Sequence, residues 1–258
     1  MKFNTSDKYN PLSESYHINY RSTTYLLDVK VGDVTGDGIN DTVSLYGKKE
    51  SSSDIFAETI TVLIKDGVTG NTQTITPKFN SGYNPTIFLG DFTKSGFCDI
   101  KISIDSGGSG GYGFFYIYSY RDNTFKETFN FDNFNRKYKY TIDYNDLYKV
   151  NVNAVTLNKL FTLDISYKGY EYLSQYYYKN GKLKKPLEGE VLALSLLIPI
   201  VDNATLTIYN LLAFQRIIGT NNSDTLGYVQ NLLSWGGQTF NVLNTFVAIQ
   251  GSSLISPY

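Results

Sequence analysis

The sequence predicts an all-β protein assembled from repeated four-stranded units, the plan of a small β-propeller. Three observations carry that reading. Aromatic and β-branched residues dominate the apolar runs, with 23 Tyr and 16 Phe against one Trp and one Met, which suits pleated, half-buried strand faces better than helical bundles. The runs are short, and Gly, Asp or Asn separates them, as in a chain of hairpins. One pattern also recurs: Gly90, Asp91, Thr93, Gly96 and Asp99 stand where Gly32, Asp33, Thr35, Gly38 and Asp41 stood, a period of 91 − 33 = 58 residues. A period of that length, with one small sheet per repeat, marks a propeller or an array.

Taken in order, the first unit has strands at 25–31 (YLLDVKV), 42–46, 59–65 (TITVLIK) and 72–76 (TQTIT), the last two joined by a Gly-containing hairpin connection at 66–71. The second unit has strands at 100–104, 114–120 (FFYIYSY) and 124–129, with a Gly-rich link, SGGSGGYG, at 106–113. After residue 130 the repeat decays. Segment 131–152 reads as strands and turns, followed by strands at 160–167 and 171–178 (EYLSQYYY), and Asn180-Gly181 signals a type I′ hairpin turn. The fourth unit opens at 198–214, where Asp202 and Asn210 are spaced like Asp33 and Asp41, and 202 − 91 = 111 is close to two periods. Strands at 226–234 and 238–248 complete it.

The expected blades are 25–77, 84–130, 138–186 and 190–250 of a single domain spanning 1–258, and 258/58 allows four or five of them. A strand at 16–22 (YHINYRS) is expected to close the ring by pairing with the last blade, removing two sheet edges at once. One detail fits imperfectly. Val43 and Leu45 lie two and four past the last Asp of the first loop, whereas Ile100, Ile102 and Ile104 lie one, three and five past the second, and a one-residue slip exchanges the faces of a strand. Either a bulge follows the first loop, or Thr42 and Ser44 point inward there.

Composition also bounds function. The formal net charge of −1 gives no long-range attraction to phosphate, so neither nucleic acid nor an anionic membrane is an expected partner. One Cys excludes an intrachain disulfide and one His excludes clustered His/Cys metal sites. Residues 1–15 lack an apolar signal-peptide core, and the longest apolar run, Val191 to Val201, is interrupted by Pro199 and too short for a membrane helix. The expected location is cytoplasmic, or exported without a classical leader.

The loop GDVTGDGIND at 32–41 carries the clearest chemistry. A hard cation such as calcium needs six to eight oxygens, and a short loop supplies them when alternate residues point inward and glycines allow the tight path. Asp33, Thr35, Asp37 and Asp41 offer side-chain oxygens and Ile39 its carbonyl. An EF-hand is excluded, since its twelfth position requires Glu and is Ser44 here, between β-like flanks. The second loop offers Asp91, Thr93, Ser95, Phe97 and Asp99; Ser95 in place of the central Asp removes one charge, so binding there is expected to be weaker. At 202–210, Ala204 and Leu206 supply no oxygen, and the copy is expected to keep its fold without a cation.

This Asp-x-Asp/Asn-x-Asp-Gly-x-x-Asp pattern between strands resembles the FG-GAP (VCBS-type) repeat of integrin α-chains and many bacterial proteins, well over 25–130 and faintly over 195–235. The resemblance implies calcium as a structural cofactor and recognition of a protein or glycan rather than a reaction. The expected function is therefore a non-enzymatic calcium-stabilised module for surface recognition or ordered self-assembly. A hydrolase or lyase acting on polysaccharide is the alternative, because carboxylates of different blades can meet across a channel, although no spacing selects a pair. The many Tyr suit either wet strand faces or a surface on which sugars stack.

Other features read as structural. The SGGSGGYG link lacks the Lys-Ser/Thr of a phosphate loop and reads as a flexible connection with Tyr112 at its tip. His17 is a strand residue without catalytic neighbours, and Cys98 a passive small residue. Asp143 and Asp146 fit turn chemistry, Trp235-Gly236-Gly237 an anchor before the last turn, and Lys184-Lys185 a solvated hairpin end.

Overall fold

The computed structural model describes residues 23–251 apart from 204 and 206, so the expected closing strand at 16–22 and His17 lie outside the described residues. The fold is all-β. A first antiparallel meander comprises β1 (Thr23–Gly32), β2 (Asp41–Lys49), β3 (Phe56–Lys65) and β4 (Thr72–Ile75), and a second comprises β5 (Gly82–Gly90), β6 (Asp99–Asp105), β7 (Gly113–Arg121) and β8 (Thr124–Asn130). They are stitched into one sheet at a short junction, where Phe56 pairs with Tyr83 and Ala57 with Gly82.

A second sheet runs in the order β11-β10-β9-β12-β13-β14-β15. Its strands are β9 (Tyr140–Asn145), β10 (Lys149–Ala154), β11 (Lys159–Asp164), β12 (Glu188–Asn203), β13 (Ile208–Ile218), β14 (Thr225–Trp235) and β15 (Phe240–Ala248). Again the junction is brief, with Glu188 opposite Asp143 and Gly189 opposite Ile142.

Two segments expected to be extended are helical. Helix α1 (Phe131–Lys137) is capped by Asn130, whose side chain accepts from the Asp132 and Asn133 amides, while Phe131 and Phe134 are buried. That satisfies first-turn donors otherwise left without partners. Helix α2 (Gly169–Tyr176) replaces most of the strand expected at 171–178. Tyr is a good strand former, but here tertiary bonds to Tyr172 and Tyr176, described below, outweigh that weak preference. The turn after it is not type I′ either, since that turn needs positive φ at two central residues and only Gly181 of the Asn180-Gly181 pair has it.

The apolar residues form two clusters. The larger joins both meanders of the first sheet to Leu194, Leu197, Leu211, Ala213, Leu233 and Phe240 of the second. The smaller lies between β9–β11, α2 and the other halves of β13 and β14, around Ile142, Val150, Val152, Ile165, Ile217 and Val229. Strands β13 and β14 thus contribute to two cores, one at each end.

The face mismatch after the two loops also has a physical resolution. In β2, Val43 and Leu45 are buried while Thr42 is exposed, so inward Thr42 is corrected; the register shift falls later, between Tyr46 and Lys48. Strand β6 is buried on both faces, with Ile100, Ile102 and Ile104 on one and Lys101, 6% exposed, on the other. Lys101 occupies the place of Val43. Its Nζ donates to Ser103 Oγ at 2.5 Å and lies over the Phe115 ring, and burial lowers its pKa from 10.5 to about 8.

Candidate functional site

The loops between β1 and β2 and between β5 and β6 share one hydrogen-bond scheme. Asp41, wholly buried, accepts from the Val34 and Thr35 amides and from Thr35 Oγ1. Asp99 accepts from the Phe92 and Thr93 amides and from Thr93 Oγ1, the same three positions one period later. At the head of each loop, Asp33 accepts from the Gly36 and Gly38 amides and Asp91 from those of Ser95 and Gly96. Each carboxylate thereby replaces water for loop amides that no strand partners.

The copies also touch one another in a repeating way. The Cys98 amide donates to the Asp33 carbonyl at 2.8 Å, and the Tyr209 amide donates to the Asp91 carbonyl at 3.0 Å. Cys98 is the eighth residue of its loop and Tyr209 the eighth counted from Asp202, so one contact recurs between successive copies, 33–41 to 91–99 and 91–99 to 202–210. The glycine before Asp91 makes room for it: a Cβ on Gly90 would lie 2.8 Å from both the Phe88 and the Tyr209 rings, whereas one on Gly32 would meet Cys98 Sγ at an ordinary contact distance of 3.8 Å. Val201 holds the corresponding place in the last copy and is 55% exposed.

The third copy is partly visible. Lys94 Nζ pairs with Asp202 at 3.3 Å, and Asn210 is buried with its Oδ1 unpartnered. In the earlier copies that position takes a hydroxyl from the third residue, for which the sequence here has Ala204; Ala204 and Leu206 lie outside the described residues.

The donor sets fit a cation unequally. At the first loop Asp33 is half-buried and Asp37 exposed, and Asp37 Oδ1 accepts only from the Ile39 amide, so both retain lone pairs towards solvent. Asp41 is more fully committed, since its second oxygen takes the Gly67 amide at 2.9 Å and Thr35 Oγ1 donates to it. At the second loop Ser95 Oγ donates to the Phe97 carbonyl, so two of the expected ligands satisfy each other. Among the described residues no three His, Cys, Asp or Glu side chains converge as a metal cluster. Cys98 lies between Asp99, Asp33 and Asp91, and burial followed by those carboxylates raises its thiol pKa, which leaves it a passive residue.

A second polar assembly, absent from the sequence expectations, holds α2. Lys168 Nζ pairs with Asp224 Oδ1 at 2.6 Å, both largely buried. Tyr172 donates to Asp224 Oδ2 at 2.6 Å and meets the Tyr144 hydroxyl at 3.0 Å. Tyr176 meets Thr220 at 2.9 Å. Burial first, then the Asp224 bond, raises the Tyr172 pKa far above its ordinary value. These contacts fix one face of α2, and Tyr170, Leu173, Ser174 and Tyr177 follow the other at helical spacing, lining an open cleft of about 590 Å³. That spacing was the available signal, and the Tyr-rich composition obscured it.

Other expectations are met differently. The 106–113 link is pinned rather than loose: Arg216 donates to the Ser109 and Gly110 carbonyls at 3.3 Å. Asp143 and Asp146 brace their neighbours, accepting from Asn153 and from the Leu183 amide respectively. Trp235 stacks edge-on with Phe240 and lies under the Arg121 guanidinium.

Comparison with known proteins adds three findings. A family model described as the YybI C-terminal domain matches residues 138–248, the span of the second sheet. Among solved structures, a Bacillus licheniformis rhamnogalacturonan lyase PL11 gives a TM-score of 0.37 at 14% identity over 88% of this chain; the chain spans 35% of that lyase's length, and likeness at this level says nothing of chemistry. The uncharacterized protein YybI of Bacillus subtilis (strain 168) is 44% identical over 223 residues, 86% of this chain and 84% of that one. The chain belongs to the YybI family.

Proposed function

We propose that the chain is a non-enzymatic recognition or structural module whose FG-GAP-like loops form the axis of a small propeller of four or five blades, stiffened by calcium at the first loop. The observation that supports this best is the recurring contact between copies, Cys98 to Asp33 and Tyr209 to Asp91. Their carboxylates brace backbone amides, which is the work of a scaffold. Calcium at the first loop would be held by Asp33, Asp37 and the Ile39 carbonyl, with Thr35 and Asp41 turning from each other towards the ion; the second loop, closed by its own bonds, would bind more weakly. A closing strand at 16–22 and ordered self-assembly belong to the same reading, the latter supported by exposed Leu26, Val29 and Val31 on β1.

Thermal melts in chelator and in excess calcium test it. A cation present at 100 times its dissociation constant stabilises by about 2.7 kcal/mol, which for a chain of this size is a rise of about 5–10 °C. Asp37→Ala should remove most of that rise. Identical melting temperatures in both buffers would overturn the calcium assignment.

A further inference from the structure

We propose that the cleft beside α2 binds an acidic oligosaccharide, a chain of sugar rings bearing carboxylates, with Tyr170 and Tyr178 as stacking faces and Lys179 and Lys184 as carboxylate partners. The proposal rests on reading the chain as a recognition module and gives that module its ligand class. The cleft opens between one face of α2 and the turn that follows it, and its volume of about 590 Å³ is that of a small-molecule or short-oligomer site.

Its walls are aromatic. Tyr170 is 72% exposed and Tyr178 56% exposed, more than Tyr112, Tyr167 and Tyr228 at 38–42%, and a flat face of that kind suits the C–H face of a sugar ring. Tyr148 and Tyr177 pack edge-to-face behind them at 5.0 Å. Tyr177 is 3% exposed, and its hydroxyl has no hydrogen-bond partner. A buried hydroxyl without a partner costs about 1–3 kcal/mol, a cost a ligand hydroxyl would remove. Burial pushes its pKa up to about 12, so it stays a neutral donor.

The charge around the cleft is mostly positive. From Lys168 to Lys185 the sequence places five Lys and one Glu, 5 − 1 = +4, in a chain whose total is −1. Lys168 is taken by Asp224, while Lys179, Lys182, Lys184 and Lys185 form no ion pair among the described residues. Lys184 Nζ donates to the Ser174 carbonyl at 2.6 Å and lies over the Tyr178 ring at 5.9 Å, which places an ammonium beside a stacking face. Asp146, which accepts from the Leu183 amide, and Glu171 are the nearby carboxylates on these segments. Four tyrosines to two lysines, with no arginine in the lining, suit a sparsely charged carboxylated chain better than a polyphosphate, whose capture relies on dense positive charge.

The test is calorimetric titration of the full chain with oligosaccharides of alginate, polygalacturonate and hyaluronan, against neutral cello-oligosaccharide and oligodeoxythymidylate. At least one acidic oligosaccharide should bind, tenfold or more above the neutral one. Lys179→Ala/Lys184→Ala should reduce that binding about tenfold, as should Tyr170→Ala, with melting temperature unchanged because all three side chains are exposed. Tyr177→Phe, which keeps the ring, should weaken binding about fivefold. Binding of none of the acidic sugars, equal binding of the neutral one, preference for the oligonucleotide, or indifference to every variant would each overturn the proposal. Since the melts in chelator and calcium report on the loops alone, failure here is distinguishable from failure of the scaffold reading.

Discussion

The first sheet and the second solve the same problem with different chemistry. In the first, two meanders carry near-identical loops in which buried Asp41 and Asp99 hold the backbone of their own loops, and the copies lock together through one repeated amide-to-carbonyl contact. In the second, β9 to β11 have no such loop, and a helix held by Lys168, Asp224 and Tyr172 covers the sheet end instead. The inserted helix, with one fixed and one open face, creates a cleft. The repeated loops and the helix-lined cleft are thus segregated along the chain.

The largest break in that contrast should come from Asp224→Ala. It leaves the Lys168 ammonium and the Tyr172 hydroxyl buried without their partner, at a cost of about 3–5 kcal/mol. Hydrogen exchange should show faster opening at 169–176, with protection of the first sheet retained; protection of α2 as in the parent would refute the anchoring role.

Next come the equivalent positions of the repeat. Asp41→Ala strands three amides and a hydroxyl and should cost on the order of 3 kcal/mol in denaturant unfolding. Its counterpart Asn210→Leu removes an oxygen that already lacks a partner and should change stability by under about 1 kcal/mol. Equal losses would show that the third copy is still braced as the others are.

Lys101→Met should stabilise the first sheet by about 2 kcal/mol at pH 7, since a buried ammonium with no carboxylate partner among the described residues gives way to an isosteric apolar chain. The sign with pH follows from the lowered pKa: between about 8 and 10.5 the unfolded chain binds the proton and the folded chain does not, so parent stability rises through that window. The advantage of the Met variant should shrink accordingly between pH 8 and 10.5, and a gap that widens would contradict the assignment. Comparable in size is Gly90→Ala, whose added methyl meets the Phe88 and Tyr209 rings and should cost about 1–3 kcal/mol, read as a fall in melting temperature that Tyr209→Ala relieves only in part.

Much of the first sheet was legible because its signals are local. Val43 and Leu45 alternate with polar residues, Gly36 and Gly38 adopt positive φ, and the 58-residue period announces itself in five matched positions. The second sheet was legible in its strands but not in α2, where the helical spacing of Tyr170, Leu173 and Ser174 is obscured by tyrosines that favour strands. The anchor of that helix, Asp224, lies 52 residues from Tyr172, and no pattern in the intervening chain points to it.

By itself, then, the sequence determined the β class, the turn positions and the carboxylate loops, since these depend on alternation, on backbone conformations open to glycine and on carboxylates that cap neighbouring amides. The tertiary structure alone decided which copy touches which, that β6 is buried on both faces around Lys101, and that Tyr170, Tyr177 and Tyr178 share a cleft with two lysines. Those outcomes depend on burial and on bonds between residues far apart in the chain, and such contacts exist only once the two cores have closed.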